Sequence, residues 1–387
     1  MNEIQERLLL VANAYGAPEA RILVFPTFVQ VVGQPGRATM TELTRYAGGA
    51  LRLDQIAELY ELVRRAEAGH IQLGEGTAAV ADVFAMLPRH RPAAVVAGHT
   101  VLTVGVCLVL QPSLGDLVLA ALLGALVGLI RLVGARWGSL QTILPVLAAL
   151  VVSAFAVWAA DHGWVHADLR AVIAPLVTFL PGAALTMGVV ELSAGELITG
   201  SSRLVAGMLQ LLLLAFGILA GAQLVEYANA TGLREHPHEL LGAWAPWLGV
   251  LVFGLGIAVY QSAPRHRLGW LLLVLYAAWV GQWAGDLAFG GYISGFTGAL
   301  VMTIVAYVVE RLPHGPPALV SFLPAFWLLV PGALGLIGLT QYITHAGATG
   351  AHDLYATLAA TIAIALGVLC GYPIYRSISR FLPSELL

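Results

Sequence analysis

Residues 179–188 read FLPGAALTMG, and residues 329–338 read LVPGALGLIG. Each places Pro-Gly inside an apolar run. Proline removes a backbone donor and clashes with the preceding turn, and glycine lowers the cost of leaving the helix. Two such stretches 150 residues apart pose the question that decides the fold. An unwound backbone inside a membrane is tolerated only against protein or a water-lined cavity.

The surroundings are those of a membrane protein. The chain has 387 residues, of which 59% are hydrophobic and 11% charged, with a mean hydropathy of +0.83. A soluble surface needs far more charge. The net charge of −3 offers no footprint for nucleic acid. All 19 basic residues are arginine. Cys107 and Cys370 lie in apolar runs, which points away from a disulfide framework. The amino end, MNEIQERLLLVANAYG, carries Glu3 and Glu6 before a short apolar stretch and does not read as a secretory signal.

The first 92 residues stand apart, with 19 charged residues (9 Arg, 10 Asp or Glu) and no long apolar run. Helices are expected over Glu6–Ala14, Leu53–Ala68 and Gly76–Leu87, and a strand interrupted at Pro26 over Ala20–Val32. This is a small α/β domain. Ten apolar spans follow: Ala94–Leu110, Leu117–Val133, Thr142–Ala160, Ala171–Val190, Leu204–Val225, Trp244–Tyr260, Leu268–Phe289, Ile293–Val309, Leu319–Leu339 and Leu354–Ile374. About 20 residues cross a bilayer core. With the first domain in the cytoplasm, that side holds Arg131, Arg136, Arg203, Arg265, Arg267, Arg311, Arg376 and Arg380. The other side holds Arg170 and Arg234. The bias sets both termini in the cytoplasm of a multi-pass cell-membrane protein.

Aligned without gaps, 181–221 and 331–371 share 12 identities in 41 positions, beginning with Pro181/Pro331, Gly182/Gly332 and Ala183/Ala333. The second half repeats the first. A unit of five spans inserts its successor upside down. The fold class is thus an all-α polytopic membrane protein: ten transmembrane helices as two inverted five-helix repeats, 93–230 and 231–387, behind a cytoplasmic α/β domain, 1–92. Four GxxxG pairs, at Gly124/Gly128, Gly217/Gly221, Gly281/Gly285 and Gly367/Gly371, point to close helix packing.

Matching interruptions in the two halves mark the expected solute site. Half-helix ends at Pro181, Gly182, Pro331 and Gly332 offer N–H groups to a carboxylate and carbonyls to an ammonium group. The hydroxyls of Thr178, Thr186 and Thr340 complete a polar pocket. Arg203 is a candidate for a substrate carboxylate or for Glu191. Glu191, Glu196, Asp116 and Asp286 are candidates for carrying a proton, against the simpler readings of loop acids and helix caps. Histidines in DHGWVHAD (161–168) and REHPHE (234–239), with His345 and His352, fit no closed zinc pattern, so no metal and no cofactor is expected. No GxxxxGK[ST] stretch is present, so ATP is not the direct energy source.

The stretch PGAALTMGVVELSAGELITGSSRL, Pro181 to Leu204, resembles the threonine/serine exporter family of bacteria and fungi. AYGAPEARILVFPTFVQVV and LRLDQIAELYELVRRAEAG in the first domain are also similar to it. The resemblance implies a ten-span carrier that exports small amino acids, coupled to the proton motive force. Two-subunit relatives are associated with dicarboxylates such as succinate and carry the two halves on separate chains. This sequence departs from the family at Glu191, where Asp is usual, and its counterpart in the repeat is Gln341. The expected partners are a small-molecule substrate, a proton and the lipid bilayer, with no nucleic acid; a homo-oligomer is left open. Competing readings are export of small dicarboxylates and a membrane-anchored enzyme with its site in residues 1–92.

Overall fold

A computed structural model describes residues 2–25, 28–33, 41–45, 51–72, 74–110, 113–135, 137, 140–164, 169–225, 241–291, 293–312, 314–329, 336, 340 and 348–379. The amino-terminal part runs α1 (Asn2–Ala14), β1 (Arg21–Val24), β2 (Phe28–Val32), β3 (Thr41–Arg45), α2 (Leu53–Glu67) and α3 (Glu75–Ala85). The strands form one antiparallel sheet in the order β1-β2-β3. The stretch expected to be one interrupted strand therefore folds back on itself, with Val24 paired to Val29 and Arg21 to Val32. A proline supplies no N–H to a continuing ladder, so the interruption separates two strands instead of breaking one. Pro26 itself lies outside the described residues.

Helix α2 ties this part to the rest. Its Gln55 side chain accepts from the Arg52 N–H at 3.1 Å and donates to the Val83 carbonyl at 3.1 Å, fixing α2 against the end of α3. Its first turn packs on the membrane part: Leu53, Ile56 and Ala57 lie against Ala263 and Val320. The Leu53 N–H donates to the Gln261 carbonyl at 3.1 Å.

Beyond Arg91 come α4 (Pro92–Val109), α5 (Leu114–Gly134), α6 (Leu144–Asp161), α7 (Leu169–Ile173) with a 3-10 continuation over Ala174–Phe179, α8 (Gly182–Ser193) and α9 (Leu197–Val225). Then come α10 (Ala245–Tyr260), α11 (Leu268–Phe289), α12 (Ile293–Arg311), α13 (Ala318–Leu328) and α14 (Ala348–Ile378). Among the described residues seven helices are long and apolar enough to cross a membrane, and an eighth span results if the bent pair around Leu180–Pro181 is counted as one. Helices α10 and α13 are apolar but shorter. Helix α9 starts at Leu197, seven residues before the expected Leu204, so Arg203 lies in its second turn and does not open the span.

Close approach of backbones holds the bundle together. Helices α4 and α10 run antiparallel with almost nothing between them. A Cβ added at Gly98 would stand 2.8 Å from the Tyr260 nitrogen, and one added at Gly105 would land on the Phe253 backbone. The reverse contacts obey a fixed offset. Adding 151 to Gly98 and Gly105 gives Gly249 and Gly256. Subtracting 151 from Val259/Tyr260 and Phe253 gives Leu108/Val109 and Leu102, which are the residues those two glycines meet. A second pair repeats at an offset of 150. Gly217 of α9 packs on Val146 and Ala149 of α6, while Gly367 of α14 packs on Phe296 and Ala299 of α12. All four GxxxG pairs face a neighbouring helix in this way: Gly124 and Gly128 meet Thr103 and His99 of α4, and Gly281 and Gly285 meet Thr297 of α12.

A side chain at these contacts must split the helices. Gly105→Leu and Gly256→Leu are each expected to destabilise the protein by ~1–3 kcal/mol, the usual cost of overpacking. Gly269→Ala, with nothing within 4 Å, is expected to leave stability unchanged. Thermal unfolding of the purified variants in detergent checks both.

Candidate functional site at the interrupted helix

The first Pro-Gly pair does interrupt its span. The helix axis turns by 57° between Ala171–Phe179 and Gly182–Ser193. Pro181 has no N–H, and the carbonyls of Val177, Thr178 and Phe179 lose the donors that a continuous helix would supply from positions 181, 182 and 183. Each finds another. The Val177 carbonyl accepts from the Leu180 N–H at 3.1 Å. The Thr178 carbonyl accepts from Arg131 Nη1 at 3.3 Å, and the Phe179 carbonyl from Gln210 Nε2 at 3.1 Å. The side chains Arg131 of α5 and Gln210 of α9 thus close the wound from two sides.

The donors on the other side of the break are treated differently. Helix α8 begins at Gly182, has no side-chain cap at Pro181, and makes its first backbone bond from Leu185 to the Pro181 carbonyl at 2.9 Å. The N–H groups of Gly182, Ala183 and Ala184 precede that bond. Pro181 and Gly182 are buried, so this positive helix end lies inside the protein. One turn on, Thr186 is fully buried and its hydroxyl has no partner among the described residues. A buried amino end with an unused hydroxyl beside it suits a small anion carrying its own polar group.

Around Thr178 lies a compact polar network. Arg131 Nη1 donates to the Thr178 hydroxyl at 2.9 Å, and its guanidinium lies over the Phe179 ring at 4.5 Å and the Tyr260 ring at 5.7 Å. His99 of α4 is completely buried. Its Nε2 is 3.2 Å from the Thr178 hydroxyl, its Nδ1 is 2.8 Å from the Gly124 carbonyl, and its ring meets Tyr260 edge-on at 5.2 Å. Four helices converge here on one threonine.

The expected residues distribute as follows. Thr178, Pro181, Gly182 and Thr186 belong to one interrupted span. Arg203 lies elsewhere, with its Nε 2.9 Å from Glu191 Oε2 across the tight α8–α9 hairpin. Glu191 is buried, and Arg203 is half-exposed. Glu196 follows the turn, its N–H donating to the Glu191 carbonyl and its own carbonyl accepting from Gly200. Asp116 is a buried helix cap. Its Oδ2 accepts from the Ser113 N–H at 3.1 Å and the Ser113 hydroxyl at 2.6 Å, and its own N–H donates back to that hydroxyl. Asp116 starts α5 and Asp286 ends α11, where it is exposed. Thr340 is buried. Pro331, Gly332, the 234–239 stretch and His345 lie outside the described residues, as does the side chain of His352.

Sequence reasoning overlooked Arg131 as anything but a topology marker, and passed over His99, Gln210 and Tyr260. A signal was available for two of them. His99 and Gln210 are polar residues within otherwise apolar spans, AGHTVL and MLQLLLL, where burial demands a partner.

Known proteins give the arrangement a context. A family model described as "Putative threonine/serine exporter" (ThrE) matches residues 1–225. The chain is 27% identical over 235 residues to pheromone-regulated membrane protein 10 of Yarrowia lipolytica, covering 58% of this chain and 19% of that protein. It is 26% identical to the protein of the same name from Zygosaccharomyces rouxii, covering 62% and 25% respectively. An uncharacterized protein of Schizosaccharomyces pombe is 22% identical over 74% of this chain and 36% of its own length. The matched region thus spans well under half of these relatives. No solved structure matches the chain.

The Glu191–Arg203 pair can be tested apart from function. Arg203→Met strands a buried carboxylate and is expected to cost ~1–3 kcal/mol. The double variant Glu191→Leu/Arg203→Met removes both charges and is expected to recover part of that loss. Thermal unfolding of the two variants against the parent gives the comparison.

Proposed function

Because the chain belongs to the threonine/serine exporter family, we propose that it is a secondary transporter exporting small polar amino acids such as threonine and serine, driven by the proton motive force. The observation that carries this reading is the asymmetry of the break. Side chains from α5 and α9 satisfy the Thr178 and Phe179 carbonyls, while the amino end of α8 is buried and has no side-chain cap. A substrate carboxylate would sit on the Gly182–Ala184 N–H groups, and its hydroxyl on Thr186.

We read the bundle as ten spans in two inverted halves, 93–230 and 231–387, with α7–α8 and α13 onward as the fourth and ninth. The offsets of 150 and 151 support this, because a contact and its image under one two-fold operation must carry a constant shift. The antiparallel crossing of α4 on α10 is what such an axis leaves at its centre. Pro331–Gly332 would then interrupt the ninth span as Pro181–Gly182 does the fourth, and the solute would lie between them. Rocking of one set of helices against the other would expose it to each side in turn. The arginine bias places the amino-terminal domain and the carboxyl end in the cytoplasm.

Export of small dicarboxylates is the competing reading. It calls on Arg203 for a second carboxylate, and Arg203 is engaged by Glu191.

Counterflow of labelled threonine in liposomes holding the purified chain tests the proposal. Thr186→Val is expected to lower it about tenfold, the loss of ~1.4 kcal/mol of binding. Arg203→Met is expected to change it far less. No counterflow of threonine, serine or succinate by the parent chain would end the transport reading. Succinate outcompeting threonine would replace the amino acid with a dicarboxylate.

A further inference from the structure

We propose that His99 is the group that binds the coupling proton, and that its protonation weakens the Arg131–Thr178 clamp. The proposal rests on the transport reading and gives it a residue.

The hydrogen bonds suit a neutral ring best. A carbonyl oxygen accepts and never donates, so the 2.8 Å contact with Gly124 places a hydrogen on Nδ1. The Thr178 hydroxyl has one hydrogen. It accepts from Arg131 at 2.9 Å, and its own hydrogen points to His99 Nε2 at 3.2 Å. A neutral ring therefore uses every donor and acceptor in the chain Arg131, Thr178, His99, Gly124. A proton added to the Nε2 lone pair turns that acceptor into a donor. The threonine oxygen then receives two cationic donors, and its hydrogen loses its acceptor.

No nearby charge would relieve the conflict. Arg131 faces His99 from α5, Tyr260 faces it from α10, and Thr178 faces it from the interrupted helix. Among the described residues Arg131 is the one charge acting on the ring, and it repels a second positive charge. Release of Arg131 is the available relaxation. It frees the Thr178 carbonyl, one of the three oxygens that hold the break closed. Proton binding thereby loosens the joint about which the first half of the span would turn, and proton loss re-forms the clamp.

Shifted by 151, the offset that relates α4 to α10, His99 becomes Val250, which is fully buried, so α10 carries no second histidine at this place. Of the carboxylates, Glu191 lies against Arg203 and Asp116 caps its own helix.

The test uses the full chain in liposomes with His99→Gln and His99→Asn, whose amides keep a donor and an acceptor but bind no proton. Counterflow of labelled threonine at equal pH, which moves no net proton, is expected to fall less than gradient-driven accumulation. Accumulation driven by an imposed pH gradient is expected to fall at least tenfold, and the pH dependence of counterflow to flatten. Gradient-driven accumulation and a pH profile like the parent's would overturn the proposal. If both variants lose counterflow, Thr178→Val decides, since it leaves the ring titratable but unlinks it from Arg131. A flattened pH profile then supports the proposal, and an unchanged one overturns it. A parent chain that transports nothing defeats the transport reading itself, and the proton assignment falls with it.

Discussion

A backbone carbonyl buried without a donor is among the costliest things a membrane protein can contain, because no lipid can supply the missing bond. The turn at Leu180–Pro181 takes the helical donors from Val177, Thr178 and Phe179 among others. Much of what surrounds it follows from their needs. A 3-10 turn serves the first, an arginine from α5 the second and a glutamine from α9 the third. The polar side chains that look out of place in their own helices are in place relative to this one turn.

That arrangement requires four helices to be held in register to within a fraction of an ångström, and the bundle achieves it with small residues. Lipid chains are as apolar as leucine, so helices in a membrane gain little by burying bulk and much by close contact. The contacts of Gly98, Gly105, Gly249 and Gly256 let α4 and α10 touch backbone to backbone. His99 on one helix and Tyr260 on the other thereby stand against each other and against Thr178. Packing and chemistry are not separate layers here, since the glycines set the distance at which the polar groups meet.

The sequence disclosed a good deal of this. Most of the apolar helices, the break at Pro181 and the glycine pairs could be read from local pattern, since each obeys a rule about a few consecutive residues. What stayed hidden involved partners distant in sequence. Arg131 and Thr178 are 47 positions apart, and His99 and Thr178 are 79 apart. Nothing local distinguishes an arginine at a span end that reaches inward from one that anchors to headgroups. The carboxylates drew notice because charge is conspicuous in an apolar chain, and two of the simpler expectations appear in the structure: Asp116 caps a helix and Glu191 pairs with Arg203. The strand around Pro26 failed for a related reason: alternation identifies strands but does not say that two of them face each other.

The docking of α2 joins regions that the chain order keeps apart. Its Leu53 nitrogen is bonded to the Gln261 carbonyl, next to Tyr260, whose ring walls the His99 network. Its apolar face rests on Val320, in the first turn of α13. An occupant that shifted α2 would reach Tyr260 through this contact, and by linkage a change at Tyr260 would alter the hold on that occupant by the same factor.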